Sequence, residues 1–134
     1  MPKTSSCVYN INYHIVWCPK YRKPILKGKI KEFIEEQIYT ISGAKDYEVI
    51  DLKVMPDHIH LFLSAKPSES PTSIVKVLKG VSALRAFKRF PELKNIYRRG
   101  KMWSPSYYVG TAGKVSADTI RRYIDEQGRN SSTD

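Results

Sequence analysis

Apolar and polar residues alternate along the first part of the chain. Between Val8 and Cys18 every second residue is aromatic or aliphatic, and the residues between them include Asn10 and His14. Successive side chains of a strand point to opposite faces of a sheet, so this pattern predicts a strand with one apolar face. Two more strands are predicted, from Tyr47 to Met55 and from His58 to Ala65.

The connection between the second and third strands is short. Pro56 and Asp57 are typical turn residues, so these two strands are predicted to form an antiparallel hairpin. A fourth, shorter strand is predicted from Ser106 to Thr111. Gly110 and Gly113 lie on either side of a flexible joint that follows it.

The remaining apolar residues recur at the three- and four-residue spacing of amphipathic helices. Lys29 to Ile41 is predicted to be the first helix, with Gly43 as its stop. Ser70 can cap a second helix, which has Pro71 at its first position and ends before Pro91. The residues expected on the buried face of this second helix are Ile74, Val77, Leu78, Val81, Leu84 and Phe87.

A third helix is predicted from about Ala117 to Gln127, with Ser116 as its cap and Gly128 as its stop. The first six elements follow the order of the split βαβ, or ferredoxin-like, pattern, and the last helix is an addition to it. We therefore predict an α+β fold. It consists of an RRM-like antiparallel sheet with helices on one face, plus a C-terminal helix that carries Tyr123.

The length of the chain, 134 residues, favours one domain. We expect a single domain over residues 1–134, with its core in residues 8–127 and a disordered tail in residues 128–134. The chain has neither an apolar run of about 18 residues nor an apolar N-terminal segment, so the cytoplasm is the expected location. Cys7 and Cys18 form no close pair, which argues against a disulfide framework or a zinc ribbon.

The chain is strongly basic. It has 23 Lys and Arg residues against 13 Asp and Glu residues, a formal net charge of +10. A charge of this sign favours a polyanionic partner, and nucleic acid is the first to consider. Solubility alone would also account for it.

His58 and His60 form the most informative pair of polar residues. Residues two apart on a strand face the same way, so the two imidazoles can converge on one metal ion, while Ile59 and Leu61 face the core. The alternative is that both are ordinary surface or packing histidines.

Tyr123 and Gln127 are four residues apart and so project from one face of the last helix. Alternatively, Tyr123 is a core aromatic residue and Gln127 is a solvated residue near the end of the helix. A tyrosine hydroxyl, with a pKa of about 10, is a weak nucleophile and needs an activated electrophile. A metal ion held by two neutral imidazoles and an amide oxygen could activate a phosphodiester, and attack by Tyr123 would then give a phosphotyrosine and a free 3′-hydroxyl.

Four blocks of the sequence resemble those of a known family, the single-tyrosine HUH transposases of small bacterial and archaeal insertion sequences (TnpA type). The similarity extends from about Val8 to Gln127. The blocks are Tyr13 to Arg22, Met55 to Leu63 with its two histidines, Trp103 to Thr111, and Tyr123 to Gln127.

The resemblance implies an enzyme that cleaves and rejoins single-stranded DNA at the ends of a mobile element through a 5′-phosphotyrosine. Tyr123 would match the family's nucleophile. His58, His60 and Gln127 would match its ligands for Mg²⁺ or Mn²⁺. The family also implies a homodimer that recognises DNA hairpins, in which the tyrosine helix can act in the site of the partner subunit.

The basic residues are the candidates for DNA contact. The candidates for phosphate contact are Lys20, Arg22, Lys23, Lys79, Arg85, Arg98, Arg99 and Lys101, with Lys76, Lys88 and Arg89 on the second helix. Tyr21, Trp103 and Tyr107 could stack on unpaired bases or belong to the core. Asp57 is a candidate partner for a histidine ligand, whereas His14 receives no role.

Two other functions remain open at this point. A ferredoxin-like sheet can also serve as a non-catalytic RNA- or DNA-binding module, although the aromatic-rich RNP pattern is absent from this sequence. A related HUH enzyme, such as a relaxase, a replication initiator or a host-adapted relative, would use the same chemistry.

Overall fold

The computed structural model describes residues 10–111 and 117–130. It contains four strands and three α-helices, with short 3₁₀ turns at Lys20–Arg22 and Pro91–Asn95. The strands are β1 (Ile11–Trp17), β2 (Glu48–Met55), β3 (His58–Ala65) and β4 (Tyr108–Thr111). The helices are α1 (Gly28–Ala44), α2 (Pro71–Arg89) and α3 (Ala117–Asn130).

The strands form one antiparallel sheet in the order β2-β3-β1-β4, which confirms the predicted ferredoxin-like α+β fold. Because neighbouring strands run in opposite directions, β1 and β2 end where β3 and β4 begin. Trp17 pairs with Ile59, Val16 with Tyr108, and Met55 with His58. We call this the histidine end of the sheet. The loops before β3, after β1 and before β4 all meet there.

The hydrophobic core lies between one face of the sheet and the first two helices. Ile15, Ile59 and Leu61 from the strands are fully buried, as are Ile34 of α1 and Leu78 of α2. Burying one such side chain stabilises the fold by about 1.5–3 kcal/mol. With α1 and α2 occupying this face, the alternate side chains of β1 and β3 are directed to the opposite face.

The start of α2 follows the prediction, but part of its buried face does not. The Ser70 hydroxyl accepts a hydrogen bond from the Ser73 amide at 3.1 Å, and Pro71 is the first helical residue. Leu84 was expected to be buried and is 60% exposed, whereas Ser82 is fully buried. Ser82 accepts a hydrogen bond from Trp103 Nε1 at 3.1 Å, so a distant tryptophan makes this small polar residue part of the interior.

Both glycines that were predicted to stop helices lie inside them. Helix α1 continues through Gly43 to Ala44, and α3 continues through Gly128 to Asn130. Glycine costs only about 1 kcal/mol relative to alanine within a helix, so it disfavours a helix without ending it. Residues 128–130, which were predicted to belong to the tail, are therefore helical. Residues 131–134, Ser116, Gly113 and the beginning of the first predicted strand lie outside the described residues.

The fourth strand begins at Tyr108, two residues later than predicted. Of the helices that the structure describes, none is long and apolar enough to cross a membrane.

Candidate active site

His58 and His60 lie on the face of β3 opposite to the core. Their common orientation follows from strand geometry, since Ile59 between them is fully buried. His58 Nδ1 lies 2.9 Å from Asp57 Oδ1, so the Nδ1–H group of the ring donates a hydrogen bond to the carboxylate. The predicted contact between Asp57 and His58 is therefore present, and it leaves Nε2 as the ring nitrogen that could accept a metal ion.

His60 has a second imidazole beside it. Its Nε2 lies 3.2 Å from His14 Nδ1, and the His14 ring stacks on Phe62 with 4.4 Å between ring centroids. Burial lowers the pKa of His60, and the neighbouring His14 lowers it further. A neutral imidazole is the form that binds metal ions. The sequence alone indicates no role for His14, because only the β1–β3 register brings the two rings together.

A cleft of about 500 Å³ opens in front of the two histidines. Its walls come from β3, from the turn after β1 and from α3. The lining residues are Arg22, Asp57, His58, His60, Arg121, Ile124 and Asp125. The helix that carries Tyr123 is therefore one wall of the histidine cleft.

Tyr123 and Gln127 use a different side of α3. The Tyr123 hydroxyl lies 3.5 Å from Ser106 Oγ, and the Gln127 side-chain oxygen accepts a hydrogen bond from Ser104 Oγ. Among the described residues of α3, these two do not line the histidine cleft. The structure thus groups His58 with His60, and Tyr123 with Gln127. A common metal site for all of them stays a prediction.

Burial raises the pKa of Tyr123 well above its ordinary value of about 10, and the contact with Ser106 acts in the opposite direction. The hydroxyl is therefore protonated at neutral pH. A reaction at this oxygen requires that its proton be removed as the new bond forms.

Lys79 holds the segment against which Tyr123 and Gln127 rest. Its ammonium group donates to the Ser104 carbonyl at 2.6 Å and to the Ser106 carbonyl at 3.3 Å. Burial lowers the pKa of Lys79 to about 8. Its predicted contact with DNA stays a prediction, and in this structure its ammonium group bonds to the protein backbone.

Two other predicted DNA contacts also have protein partners. Arg85 donates to Gln37 Oε1 at 2.8 Å, and Arg22 contacts α3 and Asp57. Among the aromatic candidates, Trp103 is a core residue with only 6% of its surface exposed, and the Tyr107 hydroxyl donates to Thr72 at 3.2 Å.

Four of the other basic candidates line a pocket of about 230 Å³ near the histidine end. It is lined by Lys20, Tyr21, Ile96, Tyr97, Arg98, Arg99 and Lys101. The rings of Tyr21 and Tyr97 are stacked with 6.4 Å between centroids. An adjacent cleft of about 620 Å³ shares Lys20 and Lys101 and has apolar walls that include Phe87 and Met102. Together they form a basic surface with apolar recesses, which suits nucleic acid.

The side chains near His58 and His60 restrict how a metal ion could be bound there. Within residues 10–111 and 117–130, no group of three or more His, Cys, Asp or Glu side chains is placed to hold a metal ion. An ion at His58 and His60 would therefore need oxygen ligands of another kind, such as an amide, water or a phosphate.

The sequence is similar to that of known transposases. The family described as "Transposase IS200 like" matches residues 7–127. The ISDra2 transposase TnpA of Deinococcus radiodurans is 39% identical over 127 residues, which cover 95% of this chain and 91% of the relative. The transposase for insertion sequence element IS200 of Salmonella typhimurium is 34% identical over 119 residues, 89% of this chain and 78% of the relative.

Solved structures lead to the same group of proteins. A crystal structure of a Deinococcus radiodurans R1 protein assigned as a transposase has a TM-score of 0.86 and 37% identity, covering 95% of this chain and 98% of that one. A REP-associated tyrosine transposase bound to a REP hairpin has a TM-score of 0.57 and 14% identity, covering 99% of this chain and 74% of that one. The second match shows a shared fold only.

Proposed function

Since this chain belongs to the family of IS200-like transposases, we propose that it cleaves and rejoins single-stranded DNA at the ends of an insertion sequence, with Tyr123 as the nucleophile. The observation that carries the proposal is the cleft in which His58 and His60 face the helix that bears this tyrosine. Membership of the family makes the protein a DNA transposase. The strand specificity, the covalent intermediate and the metal are our proposals.

We propose that a divalent ion, Mg²⁺ or Mn²⁺, binds His58 and His60. The side chains fit such an ion, because Asp57 leaves Nε2 of His58 free and burial favours the neutral form of His60. Imidazole ligands suit Mn²⁺ better than Mg²⁺. When bound, the ion would polarise a phosphoryl oxygen and offset its developing charge. Gln127 is the proposed third ligand, but its side-chain oxygen is occupied by Ser104 here.

In the proposed reaction the Tyr123 oxygen attacks a DNA phosphorus atom. An O–P bond to tyrosine forms, the bond from phosphorus to the 3′-oxygen breaks, and the proton of the tyrosine is transferred to the departing 3′-oxygen. The products are a 5′-phosphotyrosine and a 3′-hydroxyl. Attack by a 3′-hydroxyl on the phosphotyrosine reverses these changes and restores Tyr123, so rejoining needs no nucleotide cofactor.

We propose that the protein acts as a homodimer in which α3 can complete the site of the partner subunit. The orientation of this helix supports the proposal: Ile124 and Asp125 line the histidine cleft, while Tyr123 and Gln127 contact Ser106 and Ser104. In the dimer, α3 of the same subunit or of the partner subunit would bring Tyr123 and Gln127 to the ion.

We propose that the substrate is DNA with hairpins near the ends of the element. One protein with this fold is bound to a REP hairpin, and the basic pocket beside the histidine end offers a surface of suitable charge. Phosphate groups would bind its arginines and lysines. The partly exposed ring of Tyr21, which stacks on the buried Tyr97, would contact sugar or base surfaces at its wall.

Replacing Arg98 and Arg99 by alanine is expected to weaken hairpin binding at every DNA sequence tested. Both side chains are exposed and line the basic pocket. Each lost phosphate contact should make the plot of log binding constant against log salt concentration less steep by about 0.9. For the two arginines together, the magnitude of the slope should therefore decrease by roughly 1 to 2. Fluorescence anisotropy titrations at several salt concentrations would measure it.

The matched control for that pair is Lys45→Ala with Lys66→Ala. These two exposed lysines carry the same charge and lie near the end of the sheet opposite to the histidines. An unchanged slope for the arginine variant, or an equal change for the lysine control, would rule out the basic pocket as the DNA surface.

The proposed function is tested by incubating the protein with single-stranded oligonucleotides from the DNA that flanks its gene, in the presence of Mn²⁺. We expect a covalent protein–DNA adduct that survives denaturing electrophoresis. A chelator and the same sequence as duplex should both prevent it. Binding without an adduct under any divalent ion would favour the non-catalytic module instead.

A further inference from the structure

We propose that Arg22 is a positioning residue of the cleavage reaction, whose guanidinium joins the carboxylate behind His58 to the helix that carries Tyr123. This inference rests on the proposed function and deepens it. It replaces the sequence-based expectation that Arg22 contacts a DNA phosphate. We call the set of contacts described below the Arg22 clasp.

The clasp has contacts in both halves of the site. On the helix side, Arg22 Nη1 donates to the Ile124 carbonyl at 3.1 Å and lies 3.5 Å from Asp125 Oδ1. On the histidine side, Arg22 Nε lies 3.4 Å from Asp57 Oδ2. The other oxygen of Asp57 accepts the hydrogen bond from His58. A continuous path of polar contacts therefore runs from His58 through Asp57 and Arg22 to α3.

The backbone is constrained so that Arg22 reaches both halves. Tyr21 and Arg22 have positive φ angles of 65° and 49°, which non-glycine residues seldom adopt. Such a conformation persists only where its surroundings impose it, and it is most common at functional sites. Here the Arg22 amide donates to the Pro19 carbonyl at 2.8 Å, and the Lys20 amide donates to the Met102 carbonyl at 2.7 Å.

The shape of the arginine side chain matters more than its charge in this arrangement. A guanidinium offers donors in a fixed plane, so Nε and Nη1 can serve two partners in different directions, whereas a lysine ammonium is a single point charge. The Arg22 side chain is 32% exposed, so its ion pairs with Asp57 and Asp125 alone would contribute little. The hydrogen bond to the Ile124 carbonyl depends on the orientation of the guanidinium, and it therefore fixes the side chain against α3.

The test compares Arg22→Lys and Arg22→Ala with the unmodified protein. We expect adduct formation in a single turnover, at saturating hairpin DNA and Mn²⁺, to slow by about tenfold in both variants, since both remove hydrogen bonds made by a charged group. The affinity of Arg22→Lys for DNA should stay within about twofold, because its charge is kept. Lys66→Ala, an exposed lysine outside both halves, is the control that should change neither quantity.

Hydrogen exchange provides a readout that does not depend on activity. In the absence of DNA and metal, the amides of residues 121–127 should exchange about tenfold faster in both Arg22 variants, because the turn no longer holds α3. Amides of β3 should be unaffected. If the unmodified protein formed no adduct, the proposed function would fail while this measurement still tested the clasp.

A double-mutant cycle tests the connection through Asp57. Asp57→Asn and Arg22→Lys should each slow adduct formation, and the double variant should be no slower than the slower single variant, because both changes break the same path. The clasp is overturned if Arg22→Lys keeps the full rate and the full protection of α3. It is also overturned if only the DNA affinity changes, since that result would make Arg22 a phosphate contact, or if the two effects are additive.

Discussion

Tyr123→Phe is expected to abolish the covalent protein–DNA adduct while hairpin affinity stays within about twofold. Only the hydroxyl oxygen is removed, and in the proposed reaction this oxygen is the atom that bonds to phosphorus. Its contact with Ser106, at 3.5 Å, is too long to stabilise the fold strongly. Denaturing electrophoresis with labelled hairpin DNA and Mn²⁺ would measure the adduct, and anisotropy would measure affinity.

Tyr39→Phe is the matched control for that variant. Tyr39 lies on α1 with 55% of its surface exposed, so removal of its hydroxyl should leave the adduct yield unchanged. An adduct that persists in Tyr123→Phe at the yield of the unmodified protein would show that another residue is the nucleophile. Peptide mapping of that adduct would then identify the residue.

Replacing His58 and His60 together by alanine is expected to slow Mn²⁺-dependent adduct formation by roughly 100- to 1,000-fold. Several kcal/mol of transition-state stabilisation would disappear with the ion, and each 1.36 kcal/mol corresponds to a factor of ten. Both side chains lie on the face of β3 away from the core, so the fold and hairpin binding should be retained. Electron paramagnetic resonance of Mn²⁺ would report the release of the ion directly.

His14→Ala serves as the comparison for the double variant. It leaves both proposed ligands in place and removes only the imidazole that lies 3.2 Å from His60. Removal of such a supporting group should cost about 10- to 100-fold at most, with Mn²⁺ still bound. If His14→Ala released the ion as completely as the double variant, the proposed ligand set would be incomplete.

The elements of this fold could be predicted where their signals are local. Alternation gave β3 its correct limits, His58 to Ala65, and the pair Ser70 and Pro71 marked the start of α2. The same local geometry correctly paired His58 with His60 on one face of a strand. It also paired Tyr123 with Gln127, four residues apart on a helix, and both contact the segment before β4.

The partners of these residues could not be predicted, because they are distant in the sequence. Arg22 contacts a helix 102 residues away, Arg85 bonds to a residue 48 positions earlier, and Lys79 bonds to a carbonyl 25 positions later. Each was expected to contact DNA, because composition does not distinguish a basic side chain that faces solvent from one that bonds to other parts of the protein. His14 was given no role for the same reason: its neighbour His60 is 46 residues away.

The proposed reactive groups lie at the histidine end of the sheet, and this leaves the other end available for labelling. The loop that follows β3 lies there, since Ala65 pairs with Ile11 at the start of β1. Its residues Lys66 to Ser68 are exposed. A fluorescent tag or a short tether inserted in this loop would be held apart from the cleft, so single molecules could be followed through cleavage and joining without disturbing either step.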